Sequence, residues 1–263
     1  MHSHQYDYSR YFALKQKVFL INMSEGRDKE QYESLSGYVV ARHADIVELH
    51  MLYPIDLESP DAAAGKLSYK LTSESLGNGI QVMTDLVRVV KGNIFHLQLR
   101  GNLELFQRRK TPRINTTIKL FHLRRDVSLT LFRNEWKRIV GYMKTRGLPT
   151  NLALRNTPVN LSIGGIRLSI GANTQPSMLS MFFIDVDDGL APICALAEMI
   201  WTSLENNELI CGHRFIQIMK ADQERINRYV QAVQKELGIA ATTARNYWEI
   251  LDRMTFDGDG AKP

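Results

Sequence analysis

Two short segments of the chain carry residue types that could grip a ligand. The first is Gln107-Arg108-Arg109-Lys110-Thr111-Pro112-Arg113. Three arginines in a stretch broken by Pro112 do not sit on a regular helix, because proline disfavours helix in the residue before it. They belong instead to a loop that leads into a strand beginning near Ile114. A guanidinium is a planar fork of donors, suited to phosphate and to the O6/N7 edge of guanine, and it stacks on planar bases. The second segment is Asn160-Leu161-Ser162-Ile163-Gly164-Gly165-Ile166. Strand alternation puts Asn160 and Ser162 on one face and Leu161 and Ile163 on the other. Two short polar side chains then stand beside a glycine pair, Gly164 and Gly165, that would let a ligand approach the backbone closely. Taken singly, each segment has an ordinary explanation. The first could be a solvated basic turn, and the second a polar strand edge with a glycine bulge.

Together they resemble the PilZ family, whose signature is an RxxxR loop followed by a strand bearing [D/N]xSxxG. Arg109 and Arg113 fill the first motif, with Arg108 as an additional arginine just before it, and Asn160, Ser162 and Gly165 fill the second. Gly212-His213-Arg214-Phe215 looks like the family's GxxF closing strand, and a helix through Ile226-Asn227-Arg228-Tyr229-Val230 follows it. The resemblance covers roughly residues 105–235. It implies a six-stranded barrel that binds cyclic di-GMP, often as a stacked pair, and needs no cofactor or metal. Arg108, Arg109 and Arg113 would hold guanine edges and phosphates. Asn160 and Ser162 would read a guanine edge, with Gly164 and Gly165 keeping the approach clear. A downstream protein partner is implied as well, such as the flagellar motor or polysaccharide or secretion machinery. One departure from the family pattern is the 47-position separation of Arg113 and Asn160, longer than the family suggests. An inserted helix fills that gap, and barrel loops tolerate such insertions because closure cost grows slowly with length.

The elements that must position these residues read mainly as strands. Val18 to Ile21 is a compact apolar run. Val47, Leu49 and Met51 alternate with Glu48 and His50, and Phe95, Leu97 and Leu99 alternate with His96, Gln98 and Arg100. Ile80 to Met83 and Leu86 to Val90 supply further strands, with turn chemistry at Gly77-Asn78-Gly79 and Lys91-Gly92-Asn93. Beyond residue 105 the strands continue as Thr116 to Leu123, Asn160 to Ile170, Met178 to Val186, Ile193 to Thr202 and Arg214 to Met219. Trp136, Ile139, Val140 and Met143 form one face of a helix over Asn134 to Lys144, with Asn134 as cap and Gly147 as stop. A second helix covers Ala221 to Leu237, and a short third covers Thr242 to Met254 before the tail from Gly258. The expected fold is mainly β, two β-barrel domains in tandem with the inserted helix and C-terminal helices. The expected domains are 1–104, resembling in architecture and position the β-rich partner domain of flagellar-brake-type PilZ proteins; 105–238, the ligand-binding barrel; and 239–263, a helix and tail.

Composition narrows the function further. The net charge of +5 is uneven: residues 1–104 hold 11 basic and 13 acidic side chains, and the remainder 22 and 15. The stretch Arg108 to Arg125 has seven basic residues and no acid, which suits a phosphate-bearing partner. A basic barrel binding nucleic acid is the rival reading, but stacking aromatics are not interleaved with this stretch beyond Phe121. A degenerate PilZ scaffold acting only through protein contacts is another. Catalysis is not expected, since no GxSxG elbow, Walker loop or HExxH occurs, and Asp185, Asp187 and Asp188 before Gly189 read as a turn rather than a metal site. Cys194 and Cys211 are expected to be buried and reduced. No apolar run approaches the roughly 18–20 residues of a membrane-spanning helix, and no secretory signal pattern opens the chain, so a cytoplasmic location is expected.

Overall fold

The structure is a computed structural model describing residues 8–53, 67–75, 78–91, 93–107, 113–147, 152–171 and 177–238. Among them, residues 8–27 and 34–107 form one compact unit, and residues 28–33 and 113–238 a second.

The first unit is built from β1 (Lys17–Asn22), β2 (Gln31–His43), β3 (Ile46–Met51), β4 (Ser68–Ser75), β5 (Asn78–Val90) and β6 (Ile94–Gln107). They are hydrogen-bonded in the order β1-β4-β5-β6-β3-β2, and β1 also pairs with β2, so the sheet closes into an antiparallel barrel. Closure removes the unpaired edges that an open sheet would expose. Val18, Leu20, Val39, Val47, Leu49, Leu71, Phe95 and Leu97 are fully buried in this unit. β2 and β4 were not foreseen in the sequence. Their buried apolar residues Leu35, Val39, Tyr69 and Leu71 are interrupted by the buried Ser34, Ser36, Ser68, Thr72 and Ser73, which carry no hydropathy signal.

The second unit repeats the architecture. Its strands are β7 (Ile114–Arg124), β8 (Arg155–Ser162), β9 (Gly165–Ser169), β10 (Leu179–Asp185), β11 (Ile193–Glu205) and β12 (Glu208–Met219). The order β12-β11-β10-β7-β8-β9 is closed by pairing of β9 with β12. The first residues of β2, Gln31 to Glu33, belong to this unit and pair with Met219, Ile218 and Gln217. Ile114, Ile118, Leu161, Ile166, Phe182 and Phe215 fill the barrel interior. The two-barrel, mainly β fold read from the sequence is the fold of the chain. Two strand readings differ: Ile80 to Met83 and Leu86 to Val90 are parts of the single strand β5, and Asn160 to Ile170 is a hairpin rather than a single strand, turning at Ile163 and Gly164.

Two helices attach to the second barrel. α1 (Leu129–Arg146) starts five residues before the expected Asn134, because Ser128 supplies the cap, its hydroxyl accepting from the Leu131 N–H at 3.3 Å. The added turn buries Leu129 and Phe132 beside Trp136. Trp136 is fully buried and its indole N–H donates to the Cys194 carbonyl at 3.0 Å, which fastens α1 to β11. The helix stops at Gly147, where φ is 76°. α2 (Lys220–Glu236) lays Ile226 and Val230 into the barrel core. Its Tyr229 hydroxyl lies 2.8 Å from that of Thr116, so α2 covers the end of the barrel where β7 begins. The expected helix from Thr242 lies outside the described residues.

The Asp-rich segment after β10 is a turn. Asp185 accepts from the Asp187 N–H at 2.8 Å, and Asp188 from the Leu190 N–H at 3.2 Å. Asp188 also receives two hydrogen bonds from the buried Arg225 of α2, at 2.7 and 2.8 Å, and Arg225 donates to Asp222 and to the Ala191 carbonyl. The Arg225 hydrogen bonds hold the Asp188 carboxyl below its ordinary pKa. Its role is thus to tie α2 to the turn between β10 and β11.

Candidate functional site

The described residues of the sequence-derived site fall at one end of the second barrel. Ile114 pairs with Leu161 and Asn115 with Asn160, so Arg113 precedes β7 at the level of Ser162 on the neighbouring strand. Alternation then sets Arg113, Asn115, Asn160 and Ser162 on the outer face, while Ile114, Val159 and Leu161 point into the core. Arg113 and Asn115 are exposed, and Asn160 and Ser162 are half-buried. Arg108 and Arg109 lie outside the described residues.

The polar groups of this face are already in use within the protein, but only in part. The Asn160 amide nitrogen donates to the Asn115 side-chain oxygen at 2.7 Å, leaving the Asn160 oxygen to accept. The Ser162 hydroxyl donates to the Gly165 carbonyl at 3.2 Å, which directs its lone pairs outward as acceptors. Both residues are therefore oriented by the protein before any ligand arrives.

The two glycines have different roles. A Cβ on Gly165 would stand 2.2 Å from the His213 carbonyl oxygen, so Gly165 is required by the seam where β9 joins β12. Clearance for a ligand, the role read for it from the sequence, is not what forbids a side chain there. A Cβ on Gly164 would meet open space, and the Gly164 carbonyl accepts from the Phe215 N–H at 2.9 Å.

Register extends the outer face beyond the motif residues. Asn160 pairs with Arg167, Arg167 with Gly212, and Gly212 with Trp201. A parallel row runs from Ser162 through Gly165 and Arg214 to the buried Glu198. The Trp201 indole covers Gly212, within 2.4 Å of where a Cβ would stand, and the residue is 39% exposed. Its position depends on a bulge. Met199 pairs with His213 and Trp201 with Gly212, so Ile200 is an extra residue that turns Trp201 from the inner to the outer face. The barrel thus joins an arginine and an indole to the motif, Arg167 and Trp201. The sequence reading missed both because their placement needs cross-strand register. An amide, a hydroxyl, exposed arginines and an aromatic surface on one barrel face suit a planar, hydrogen-bonding and anionic ligand.

Among the described residues no group of three His, Cys, Asp or Glu side chains could hold a metal ion. No helix among them is long and apolar enough to cross a membrane. Cys194 and Cys211 are buried and unpaired, as expected, and burial raises the Cys194 thiol far above its ordinary pKa.

The second barrel has a PilZ-like fold. Six antiparallel strands form the closed ring, the Asn-x-Ser-x-x-Gly segment makes its β8–β9 hairpin, and a helix follows its last strand. No protein-family profile matches the chain, and no curated protein matches it. Solved structures do align with it. The inhibitor of motility MotI/DgrA of Bacillus subtilis is 12% identical, over 85% of this chain and 98% of that one, at a TM-score of 0.35. YcgR of Escherichia coli, solved in complex with c-di-GMP, is 13% identical over 90% and 88%, at 0.33. A tetrameric PilZ-domain protein of Xanthomonas campestris is 15% identical over 49% and 91%, at 0.32.

Proposed function

We propose that this protein is a receptor for cyclic di-GMP, which it binds on the outer face of the second barrel. The observation that carries the reading is the register of β7 against β8, which brings Arg113 level with Ser162 and sets Asn115 beside Asn160. In this reading Arg113, with Arg108 and Arg109 of the preceding segment, holds phosphates and guanine edges. Asn160 and Ser162 accept from a guanine edge. Arg167 and the Trp201 indole extend the surface for stacking.

The Arg108–Arg113 segment lies between the strands of the two barrels in sequence. Ordering of a segment by an anionic ligand is a recognised switching device. The ligand therefore changes the arrangement of the two domains and alters the surface offered to a downstream protein, in the control of motility, biofilm or polysaccharide output. Binding, not catalysis, is the assigned activity.

Calorimetric titration of the purified chain with cyclic di-GMP tests the reading, with GTP and cyclic di-AMP as controls. Selective saturable binding is expected, and its stoichiometry separates one bound dinucleotide from a stacked pair. Charge-assisted contacts contribute about 1.5–3 kcal/mol each, so Arg113→Ala weakens binding by roughly tenfold or more. Absence of heat and of thermal shift at saturating ligand would reject the receptor and favour a scaffold that works through protein contacts. Scattering profiles that coincide with and without ligand would reject the rearrangement alone.

A further inference from the structure

The interior of the second barrel changes character along its length. Near the α2-covered end its inward side chains are apolar, Ile114, Ile118, Val159 and Leu161. Towards the other end the same inward positions on β7 become His122 and Arg124, and on β8 Thr157 and Arg155. A cavity of about 390 Å³ opens there, with Arg124, Arg155, His122, Thr157 and Ser169 in its lining and Leu120 and Leu168 as an apolar wall. This volume is in the range of small-molecule sites.

The cavity is charged without being balanced. No carboxylate lines it, and both guanidinium groups are exposed with no ion pair or hydrogen bond among the described residues. Behind it lie polar groups without partners. The His122 Nε2 is buried and unpartnered. Ser180, paired with Arg124 in the β7–β10 ladder, is fully buried and its hydroxyl is also unpartnered. The His122 ring is fixed by stacking on Phe182, with centroids 4.4 Å apart, so it cannot swing out to water without losing that contact. Buried polar groups are ordinarily satisfied, and an ordered water or a bound ion is one way such groups find partners.

We propose that this mouth of the barrel is a second, separate ligand site that takes a small phosphate monoester. The phosphate would lie between Arg124 and Arg155, with the Ser169 hydroxyl, which accepts from the Gly171 N–H and keeps its own proton to donate, as a further donor, and a compact organic group would rest on Leu120 and Leu168. A tetrahedral dianion uses this many donors better than a single carboxylate does. The site lies at the opposite end of β7 and β8 from Arg113 and Ser162, and it does not depend on the cyclic di-GMP reading.

Phenyl phosphate serves as the probe, titrated into the full chain at constant ionic strength, with benzoate and phenol as controls. One saturable site is expected, with benzoate weaker by tenfold or more and phenol silent. Arg124→Gln and Arg155→Gln each lower phenyl phosphate affinity at least tenfold. Both positions are exposed, so the variants keep the parent thermal transition, and any response to cyclic di-GMP is the same as that of the parent chain. Ser169→Ala gives a smaller loss and serves as a second variant. No binding up to roughly 10 mM probe, an affinity too weak to count as a site, would overturn the proposal. Binding that persists in the Arg124→Gln, Arg155→Gln double variant would overturn it too.

Discussion

The contact between Gly165 and the β12 backbone allows a substitution whose effect is worked from geometry. In Gly165→Ala the new methyl would stand 2.2 Å from the His213 carbonyl oxygen and 3.2 Å from its carbon. Ordinary C···O contacts are about 3.3 Å or longer, so β9 must move by roughly an ångström relative to β12. The obstacle is backbone, which cannot rotate away as a side chain tip would. Gly165 pairs with Arg214 and Ser162 at the first position of the β9–β12 seam, the seam that closes the barrel. Displacement there strains the Phe215 N–H bond to the Gly164 carbonyl and the Ser162 bond to the Gly165 carbonyl. Overpacking of this kind costs about 1–3 kcal/mol, and with a hydrogen bond weakened the sum is about 3 kcal/mol. For a unit the size of the second barrel, with an unfolding entropy of about 0.3 kcal/mol/K, that lowers its melting temperature by roughly 10 °C. Thermal denaturation followed by circular dichroism measures it. Because the chain has two units, the shift is sought in the transition of the second barrel alone. Gly164→Ala is the control, since its methyl meets open space, and it stays within about 0.5 kcal/mol of the parent. If Gly165→Ala is as stable as Gly164→Ala, the seam argument is wrong and clearance for ligand becomes the better account of Gly165.

Asp188→Asn preserves shape but removes the charge that meets the buried Arg225, whose side chain is 9% exposed against 29% for Asp188. Breaking a buried pair costs about 3–5 kcal/mol, and the partial exposure of Asp188 reduces this to about 2–3 kcal/mol; a lower urea midpoint with an unchanged slope is expected, and an unchanged midpoint would refute it. The interior histidines give an acid dependence. Burial, then His213 and Arg124, lower the His122 pKa to about 3, and burial lowers that of His213 to about 4. The unfolded chain takes up protons near pH 6.5 while the barrel refuses them, so stability is full above that value and falls as pH drops towards 4. The limiting slope is about 1.4 kcal/mol per pH unit for each histidine. Melting temperatures between about pH 6.5 and 5, above the main carboxylate titrations, should therefore decline. They should decline less in His122→Phe; equal slopes in the two proteins would refute the assignment.

What the sequence determined by itself is what local chemistry encodes. Period-two alternation disclosed β3 and β6, because the apolar side chains of each share the face that packs on the core. The glycine stop disclosed the end of α1, because a left-handed residue at Gly147 is a local event. The spacing of Asn160 and Ser162 disclosed their shared face, since strand parity is fixed within a few residues. The start of α1 was misread because Asn134 and Ser128 are both able caps, and the choice between them fell to the burial of Leu129 and Phe132. β2 and β4 were hidden because buried serines and Thr72 interrupt their apolar positions. Tertiary structure alone decided which residues meet across strands. Arg167 and Trp201 join the candidate face through pairing over four strands and a single bulged residue at Ile200, and a one-residue change of register moves a side chain to the opposite face. The arginine-lined mouth arises in the same way. Arg124 and Arg155 are separated by 31 positions and become neighbours in one cavity only when β7 and β8 pair inside a closed barrel. Register and closure are properties of the assembled sheet, and no short window of sequence contains them.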